Sequence, residues 1–319
     1  MGERVIEVSG LTKYYGELLA VDHISFGVRR GEIFGFLGPN GAGKTTTIRM
    51  LVGLTRPSEG TAIIDGYDIR EEIVEIKRRV GVVPETSNLY DELTVWENLL
   101  YMARLYRVPR AERGERVREL LETFDLWKRR DTKFRRLSKG LKRRATVAAA
   151  LVHRPSILFL DEPTTGLDVV SAGALRGLMR RLREMGVTVF LTTHYIEEAD
   201  QLCDRVAVIV KGKIVAVDTP ENMKSAVQGT PVLEVVFDSP LPSLETEKMD
   251  LGTIVVEGNR VKILTEDPSS TLEAVIKLAR RHGLRIELVN TLRPSLEDAF
   301  VKLTGVSPEL MRVEKERGR

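Results

Sequence analysis

Two hydrophobic patterns recur along the chain and predict two kinds of strand. Apolar and polar positions alternate over residues 5–8 and 24–28, as they do in strands with one buried face. Residues 33–37, 157–160 and 187–191 are instead short continuous apolar runs. Such runs are typical of parallel strands covered on both faces. The combination predicts an α/β fold with a buried, largely parallel sheet.

The pattern becomes helical throughout residues 86–152. Thr94 and Glu97 are spaced as a capping box, which predicts a helix over residues 95–107, and a second helix is expected over 110–124. The block therefore predicts a helical subdomain of about residues 86–152.

A separate pattern begins after Gly229 and Pro231. Strands are predicted over residues 232–237, 253–257, 261–265 and 286–291, with helices over 271–282 and after a Ser295/Asp298 capping box. We expect a small α+β domain over residues 229–306, followed by a charged tail, 307–319. Dimer contact, regulation and simple packing all stay open as its role.

Composition limits the possible partners. Lys and Arg number 49 against 46 Asp and Glu, and a net charge of +3 is too small to predict nucleic-acid binding. A hydrophobic fraction of 42% supports large cores, and the length favours about two domains. Neither a membrane span nor a signal peptide is expected. The single cysteine, Cys203, excludes an internal disulfide and agrees with a reducing compartment.

One stretch departs from this charge balance. Residues 128–144 hold ten Lys or Arg and one acid, Asp131. A run of charge is usually a solvated face, but this density also fits an anionic partner such as nucleotide phosphate or lipid head groups. The sequence leaves both interpretations open.

The segment after the first buried strand has the spacing of a phosphate-binding loop. It consists of Gly38, Pro39, Asn40, Gly41, Ala42, Gly43, Lys44, Thr45 and Thr46. Glycines let backbone N–H groups curl around phosphate oxygens, and the helix that follows favours an anion at its N-terminus. We expect Lys44 to reach the outer phosphates and the Thr45 hydroxyl to hold Mg²⁺.

Two later strands end in polar residues whose roles can be inferred from the presence of the phosphate loop. Asp161 and Glu162 follow the 157–160 run, and His194 follows the 187–191 run. Buried carboxylates need a metal or an arginine as a partner, and the phosphate loop favours the metal. Asp161 is therefore predicted to hold Mg²⁺, and Glu162 to polarise an attacking water as general base. His194 lies where parallel sheets place their sites.

Together these motifs resemble the nucleotide-binding subunit of ABC transporters over about residues 5–227. Its motifs appear here in the family's order: Tyr15 for the adenine-stacking aromatic, Gly38–Thr46 for the phosphate loop, Leu137–Leu141 for the signature sequence, Asp161 and Glu162 for the acids, Gly166–Asp168 for the dimer loop, and His194 for the switch histidine. The resemblance implies a P-loop NTPase of ABC type, with a mixed sheet core, an antiparallel β subdomain and a helical subdomain. The cassette would occupy residues 1–228.

Two positions differ from the usual family pattern. Lys139 and Leu141 replace the third and fifth residues of the Leu-Ser-Gly-Gly-Gln signature, while Ser138 and Gly140 are kept. Glu85 stands where the family usually has a glutamine that touches Mg²⁺, which puts its metal role in doubt. Both departures resemble the exporter branch that includes antibiotic-resistance and sodium-export ATPases.

The resemblance also implies cofactors and partners. ATP and Mg²⁺ would bind between two cassettes, in a homodimer or heterodimer, with Ser138, Lys139 and Gly140 facing the other subunit's ATP and Asp168 in the dimer contact. A separate transmembrane permease would hold the protein on the inner face of the membrane, and no nucleic acid is expected. The alternatives are a soluble ABC ATPase acting on nucleic acid or the ribosome, and a module that binds ATP without turnover.

Overall fold

The computed structural model describes residues 3–226, 231–240, 253–292 and 294–306. The chain divides into two compact units, Met1–Val217 and Asp218–Arg319. The division falls before the helix over residues 220–225 rather than near residue 228, because that helix contacts the last helix of the second unit. Among the described residues, no helix has the length and hydrophobicity of a membrane span.

Two sheets build the first unit. Its strands are β1 (Arg4–Tyr15), β2 (Leu18–Arg29), β3 (Ile33–Leu37), β4 (Glu59–Ile64), β5 (Tyr67–Asp68), β6 (Val80–Val83), β7 (Ile157–Asp161), β8 (Thr188–Thr193), β9 (Arg205–Val210) and β10 (Lys213–Asp218). The first sheet has the order β2-β1-β4-β5 and antiparallel pairing. The second has the order β10-β9-β3-β8-β7-β6, and β9, β3, β8, β7 and β6 run parallel.

The β1–β2 hairpin is longer than its alternating pattern predicts. Pairing continues to Tyr15 and Leu18 through several register shifts. These irregularities break the strict alternation of apolar and polar positions while keeping the strands hydrogen-bonded. The turn is made at Gly16, whose φ of 59° lies in the left-handed region. As a result Tyr15 ends a strand at the tip of the hairpin.

The parallel sheet positions the candidate site. Its middle strands β3, β8 and β7 are neighbours, and all residues of these three strands are buried. Below their carboxyl ends lies an aromatic core in which the Phe190 ring is 5.3–6.1 Å from the rings of Phe26, Phe34, Phe36 and Phe159. The three polar segments that follow these strands therefore emerge side by side from a rigid support.

Helices of the first unit flank these sheets. They are α1 (Lys44–Leu51), α2 (Ile73–Arg79), α3 (Val95–Leu105), α4 (Arg113–Thr123), α5 (Lys139–Ala150), α6 (Val169–Glu184) and α7 (Ile196–Leu202). The predicted capping box at the start of α3 is confirmed, with both Thr94 and Glu97 hydrogen bonds formed. Helices α3, α4 and α5 contact one another within the predicted helical block, with 3₁₀ turns between α4 and α5.

The second unit is an α+β fold, as the sequence predicts. It contains α8 (Pro220–Ser225), β11 (Val232–Phe237), β12 (Thr253–Glu257), β13 (Arg260–Leu264), α9 (Pro268–His282), β14 (Ile286–Leu292) and α10 (Leu296–Thr304). The strands form an antiparallel sheet in the order β12-β13-β11-β14, and α9 covers one face. The Ser295/Asp298 capping box is present. The tail from residue 307 lies outside the described residues.

Candidate active site

The loop between β3 and α1 has the backbone of an anion cradle. Gly43 caps α1 with φ of 102°, and a Cβ there would lie 2.6 Å from the carbonyl oxygen of Ala20 on β2. At Gly38, a Cβ would collide with the carbonyl oxygen of Ile209. Both positions therefore require glycine. The contact with Ala20 also places this loop against the hairpin that carries Tyr15.

Lys44 points back over the loop that precedes it. Its ammonium donates to the carbonyl oxygens of Gly38 at 2.6 Å and Pro39 at 2.9 Å, and lies 3.5 Å from Glu162 Oε1. Burial lowers the pKa of Lys44, against the opposing charge of Glu162. A buried cation held mainly by carbonyl oxygens, with its one printed ion pair at 3.5 Å to Glu162, is well suited to bind a phosphate oxygen.

Asp161 and Thr45 meet across the end of β7. The Thr45 hydroxyl donates to Asp161 Oδ1 at 3.2 Å, and Thr192 on β8 donates to the same oxygen at 2.6 Å. Burial raises the pKa of Asp161 even though both hydroxyls oppose the shift. A carboxylate destabilised in this way favours a bound cation. A hydroxyl and one carboxylate beside a phosphate loop form the donor set that Mg²⁺ uses with nucleotides.

Glu162 is held on several sides as an ionised carboxylate. Its Oε2 lies 3.1 Å from His194 Nδ1 and accepts a hydrogen bond from Thr165 at 3.0 Å. Burial alone would raise the pKa of Glu162, but the hydrogen bond with His194 and the charge of Lys44 outweigh it and lower the pKa to about 2. The predicted base, switch histidine and phosphate-binding lysine therefore form one connected cluster.

The backbone of Glu162 is strained, and one buried arginine holds it. Glu162 has φ of 44°, in a region that L residues rarely adopt. Its N–H donates to the Thr192 hydroxyl at 3.0 Å. The Arg143 guanidinium donates to its carbonyl oxygen at 2.7 Å and also to the carbonyl oxygens of Asp161, Pro163 and Pro84. Arg143 thus clamps the Glu162 segment to the segment that precedes Glu85.

Sequence reasoning missed the role of Arg143, Thr192 and Thr165. Arg143 is one of the ten bases of residues 128–144, yet it is buried. The helical repeat offered a signal, because Gly140, Arg143 and Val147 are spaced on one buried stripe of α5. Thr192 carries no comparable signal, since its partners Asp161 and Glu162 are distant in sequence, whereas Thr165 lies three residues after its partner Glu162.

The predicted signature and dimer-loop residues form a second cluster. Ser138 caps α5 and Asp168 caps α6, each through its own side chain. Asp168 accepts hydrogen bonds from Ser171 N at 2.8 Å and Oγ at 2.7 Å. Gly140 lies so close to Ser171 that a Cβ would be 2.5 Å from the Ser171 hydroxyl oxygen. Ser138 and Lys139 are exposed, so they are accessible to another molecule.

The structure places the two remaining predicted residues at the edges of the site. Tyr15 is 44% exposed, with Lys13 Nζ 5.2 Å from its ring centre. Glu85 is close enough to Lys44, Asp161 and Arg143 for its charge to raise the pKa of each. Glu85 therefore adds negative charge to the site.

Fold and site together define a P-loop nucleoside triphosphatase of the ABC cassette class, and comparisons with known proteins agree. The profile of the family described as "ABC transporter" matches residues 21–165. The chain is 40% identical over 308 residues to the daunorubicin/doxorubicin resistance ATP-binding protein DrrA of Streptomyces peucetius, covering 95% of this chain and 93% of DrrA. It is 42% identical over 306 residues to the Nod factor export ATP-binding protein I of Ralstonia nicotianae, covering 94% of each.

Solved structures show the same fold. CbiO1 from Clostridium perfringens, part of the ABC transporter complex CbiONQ, has a TM-score of 0.65 at 28% identity, over 71% of this chain and 94% of CbiO1. A dimeric post-hydrolysis ATP-binding cassette bound to ADP and Pi has a TM-score of 0.61 at 28% identity, over 67% of this chain and 98% of that cassette.

The chain belongs to the family of ATP-binding proteins of ABC transporters. It is the ATP-hydrolysing subunit of a membrane transporter, as the sequence predicts, and the alternative of a soluble ABC ATPase acting on nucleic acid or the ribosome is not favoured. The resemblance to the exporter branch is confirmed by the relatives' names. Proteins of this family work as dimers with a permease.

Proposed function

We propose that this chain powers export through a separate permease by closing and reopening a dimer around ATP and Mg²⁺. The observation that carries this proposal is the convergence of Lys44, Thr45, Asp161, Glu162 and His194 at the ends of three adjacent strands. Support for export comes from the relatives, which are drug-resistance and export ATP-binding proteins.

Each group has a chemical role in this proposal. Residues 38–46 cradle the phosphates, and Tyr15 stacks on adenine. When a phosphate binds Lys44, the ammonium leaves Glu162. The loss of this ion pair raises the basicity of the Glu162 carboxylate. Glu162 then orients and deprotonates the attacking water. His194 holds the Glu162 carboxylate and contacts the γ-phosphate.

The residues at the end of β7 fit Mg²⁺. Thr45 and Asp161 would hold the ion, with the nucleotide phosphates completing its shell. Mg²⁺ supplies charge neutralisation for the phosphoryl group that is transferred. Glu85 could add an oxygen, but its main effect here is to increase the negative charge that ATP must approach.

The second cluster serves the other subunit's ATP. In a head-to-tail pair, either homodimer or heterodimer, Ser138, Lys139 and Gly140 contact the phosphates held by the partner, and Asp168 lies in the dimer contact. The exposure of Ser138 and Lys139 supports this arrangement. The dimeric post-hydrolysis cassette to which this fold is similar supports it as well.

An exposed aromatic surface fits the permease. Tyr90 and Tyr101 are 53% and 40% exposed and pack edge to face at 5.2 Å, and Leu105, one turn further along α3, is 61% exposed. We define these three residues as the permease patch. A cytoplasmic helix of the permease would bind here and hold the chain at the inner face of the membrane. In this assignment the cassette ends at Val217 instead of residue 228, α8 belongs with the accessory domain predicted over residues 229–306, and residues 307–319 are a charged tail.

The experiment that tests the proposal is the solution mass of Glu162→Gln protein with and without ATP and Mg²⁺. Glutamine keeps the shape of the side chain but removes the base, so ATP hydrolysis should stop and the closed dimer should accumulate. The matched control is Glu184→Gln, the same change at an exposed residue at the end of α6. It should hydrolyse ATP and remain a monomer on the time scale of the measurement.

Two outcomes would contradict the proposal. A Glu162→Gln variant with wild-type ATPase rate would remove Glu162 as the base. An unchanged mass with ATP bound would show that Lys139 and Glu85 prevent the predicted closure. A dimer that forms without ATP would instead assign dimerisation to another contact, and removing residues 229–319 would then test the second unit as that contact.

A further inference from the structure

Some bases of the basic stretch 128–144 have partners within the described part of this chain, and others do not. Arg143 is buried on backbone carbonyls. Others pair with acids outside or inside the stretch: Lys142 with Asp91, Lys133 and Arg135 with Glu92, Arg144 with Asp125, and Arg130 with Asp131. These pairs account for the structural part of the charge.

Four bases of the stretch are left over. Lys128, Arg129, Arg136 and Lys139 are exposed, and none of them has an ion pair within the described part of the chain. Lys139 belongs to the signature sequence. We define Lys128, Arg129 and Arg136 as the basic edge. Because no acid of the first unit neutralises it, the basic edge can attract an external anion.

Backbone hydrogen bonds fix where the basic edge lies. Residues 130–134 run beside residues 93–96, with Trp96 N donating to Arg130 O at 3.0 Å and Phe134 N donating to Leu93 O at 2.9 Å. The Arg135 N–H also donates to the Asp91 carbonyl oxygen at 3.2 Å, next to Tyr90 of the permease patch. The orientation that follows rests on the proposed function: a surface that receives a permease helix faces the membrane, and the strip that joins Lys128, Arg129 and Arg136 passes next to Tyr90 of that surface.

Aromatic rings accompany the charges at this edge. Trp127 and Trp96 are half-buried and pack edge to face with ring centres 6.2 Å apart. The guanidinium of Arg130 lies 4.5 Å from the Trp127 ring centre. Indole rings mixed with Lys and Arg are typical of surfaces at the level of lipid head groups, where one side of the ring is apolar and the other wet.

We propose that the basic edge, with Trp127 beside it, is a contact surface for the anionic head groups of the membrane in which the permease lies. Each Lys or Arg near an anionic bilayer strengthens binding by about fivefold, so the three bases together contribute about a hundredfold. The contact adds to the permease patch and orients the cassette below the bilayer. Because it is electrostatic, it weakens as salt shortens the screening length.

The test measures binding of the full chain to vesicles, without ATP and without permease. Wild-type protein should bind vesicles that contain phosphatidylglycerol at low salt and should not bind pure phosphatidylcholine vesicles. The triple variant Lys128→Gln/Arg129→Gln/Arg136→Gln should bind phosphatidylglycerol vesicles about a hundredfold more weakly. The matched control, Arg56→Gln/Arg70→Gln/Lys77→Gln, removes three exposed bases from the loops before β4 and after β5 and from α2, and should bind as wild type does.

The tryptophans report which face binds. The chain has two, Trp96 and Trp127, and both lie at this edge. Lipids brominated near the head group should therefore quench the intrinsic fluorescence of wild-type protein, and high salt should restore it. Binding without quenching would mean that another face contacts the lipid, which overturns the proposal.

Other results would also overturn it. Equal losses in both triple variants would show that net charge alone drives binding. If wild-type protein ignores anionic vesicles while the basic-edge variant loses affinity for the detergent-solubilised permease, the partner is an acidic protein surface instead. None of these measurements requires ATP hydrolysis or dimerisation, so a failed Glu162→Gln test and a failed vesicle test can be told apart.

Discussion

Arg143 allows the support of Glu162, the proposed catalytic base, to be tested separately from its chemistry. Its guanidinium donates to four carbonyl oxygens, those of Pro84, Asp161, Glu162 and Pro163. We consider Arg143→Lys, which keeps the positive charge. A lysine ammonium has donors at a single atom, so it cannot span the carbonyls that the planar guanidinium reaches.

The magnitude follows from the hydrogen bonds that are lost. A hydrogen bond to a charged group contributes about 1.5–3 kcal/mol, and a buried carbonyl without a donor costs about 1–3 kcal/mol. If lysine satisfies two of the four carbonyls, the free energy of unfolding should fall by about 3–5 kcal/mol. Because the released carbonyl of Glu162 no longer supports a φ of 44°, kcat for ATP should fall more than KM rises.

The assay combines urea unfolding of nucleotide-free protein with steady-state ATP hydrolysis. The control is Arg144→Lys at the next residue, whose guanidinium is 3.8 Å from the exposed carboxylate of Asp125. Such a pair contributes about 0–1 kcal/mol, so this variant should match wild type in both assays.

Either of two results would refute the reasoning. One is an Arg143→Lys variant whose unfolding free energy lies within 1 kcal/mol of wild type, a difference smaller than one lost charged hydrogen bond (about 1.5 kcal/mol). The other is a stable variant in which KM rises and kcat does not change. The second result would mean that Arg143 supports nucleotide binding rather than the position of Glu162.

Two further predictions concern other parts of the first unit. Burial lowers the pKa of His153, whose ring stacks 3.9 Å from the Tyr106 ring, to about 4. Because the folded protein holds the neutral imidazole, the free energy of unfolding should fall as the pH drops from about 6.5 to 4. Urea unfolding should show a loss of up to about 3 kcal/mol. Gly140→Ala places a Cβ 2.5 Å from the Ser171 hydroxyl oxygen, so ATPase kcat should fall about tenfold, and Ser171→Gly in the same chain should restore most of it.

Each of these predictions has its own control. His153→Phe keeps an aromatic ring beside Tyr106 but cannot titrate, so its unfolding should lack this part of the acid sensitivity; an unchanged pH profile would contradict the burial argument. For Gly140→Ala, failure of Ser171→Gly to rescue activity would show that the loss comes from the partner's nucleotide rather than from the contact within this chain.

The parts of the site that sequence predicted are those set by local pattern. Gly38–Thr46 could be recognised because glycine spacing, a preceding apolar strand and a following helix occur together. Asp161 and His194 could be placed because short apolar runs fix where parallel strands end, and adjacent strands bring their ends together. The capping boxes at Thr94 and Ser295 depend on residues three apart, and both are present.

The parts that sequence did not predict depend on contacts between distant segments. The ten bases of residues 128–144 are indistinguishable by charge in the sequence. Arg143 differs from the others because its side chain points towards the carbonyl oxygens of residues 84 and 161–163. The β1–β2 strands extend beyond their alternating pattern because register shifts interrupt it. Thr192 acts on Asp161 and Glu162 only because β8 lies beside β7.

The contact between Gly140 and Ser171 has a consequence for how two ATP molecules are consumed. Within one chain, the loop after Glu162 leads to Asp168, Asp168 holds Ser171, and Ser171 supports Gly140. In the proposed head-to-tail pair, Glu162 and Gly140 of one chain serve different nucleotides. Each subunit then couples two ATP sites through the contacts that join Glu162 to Gly140. ATP hydrolysis is therefore cooperative, and a dimer with one of its two Glu162 residues disabled should hydrolyse ATP at less than half the wild-type rate.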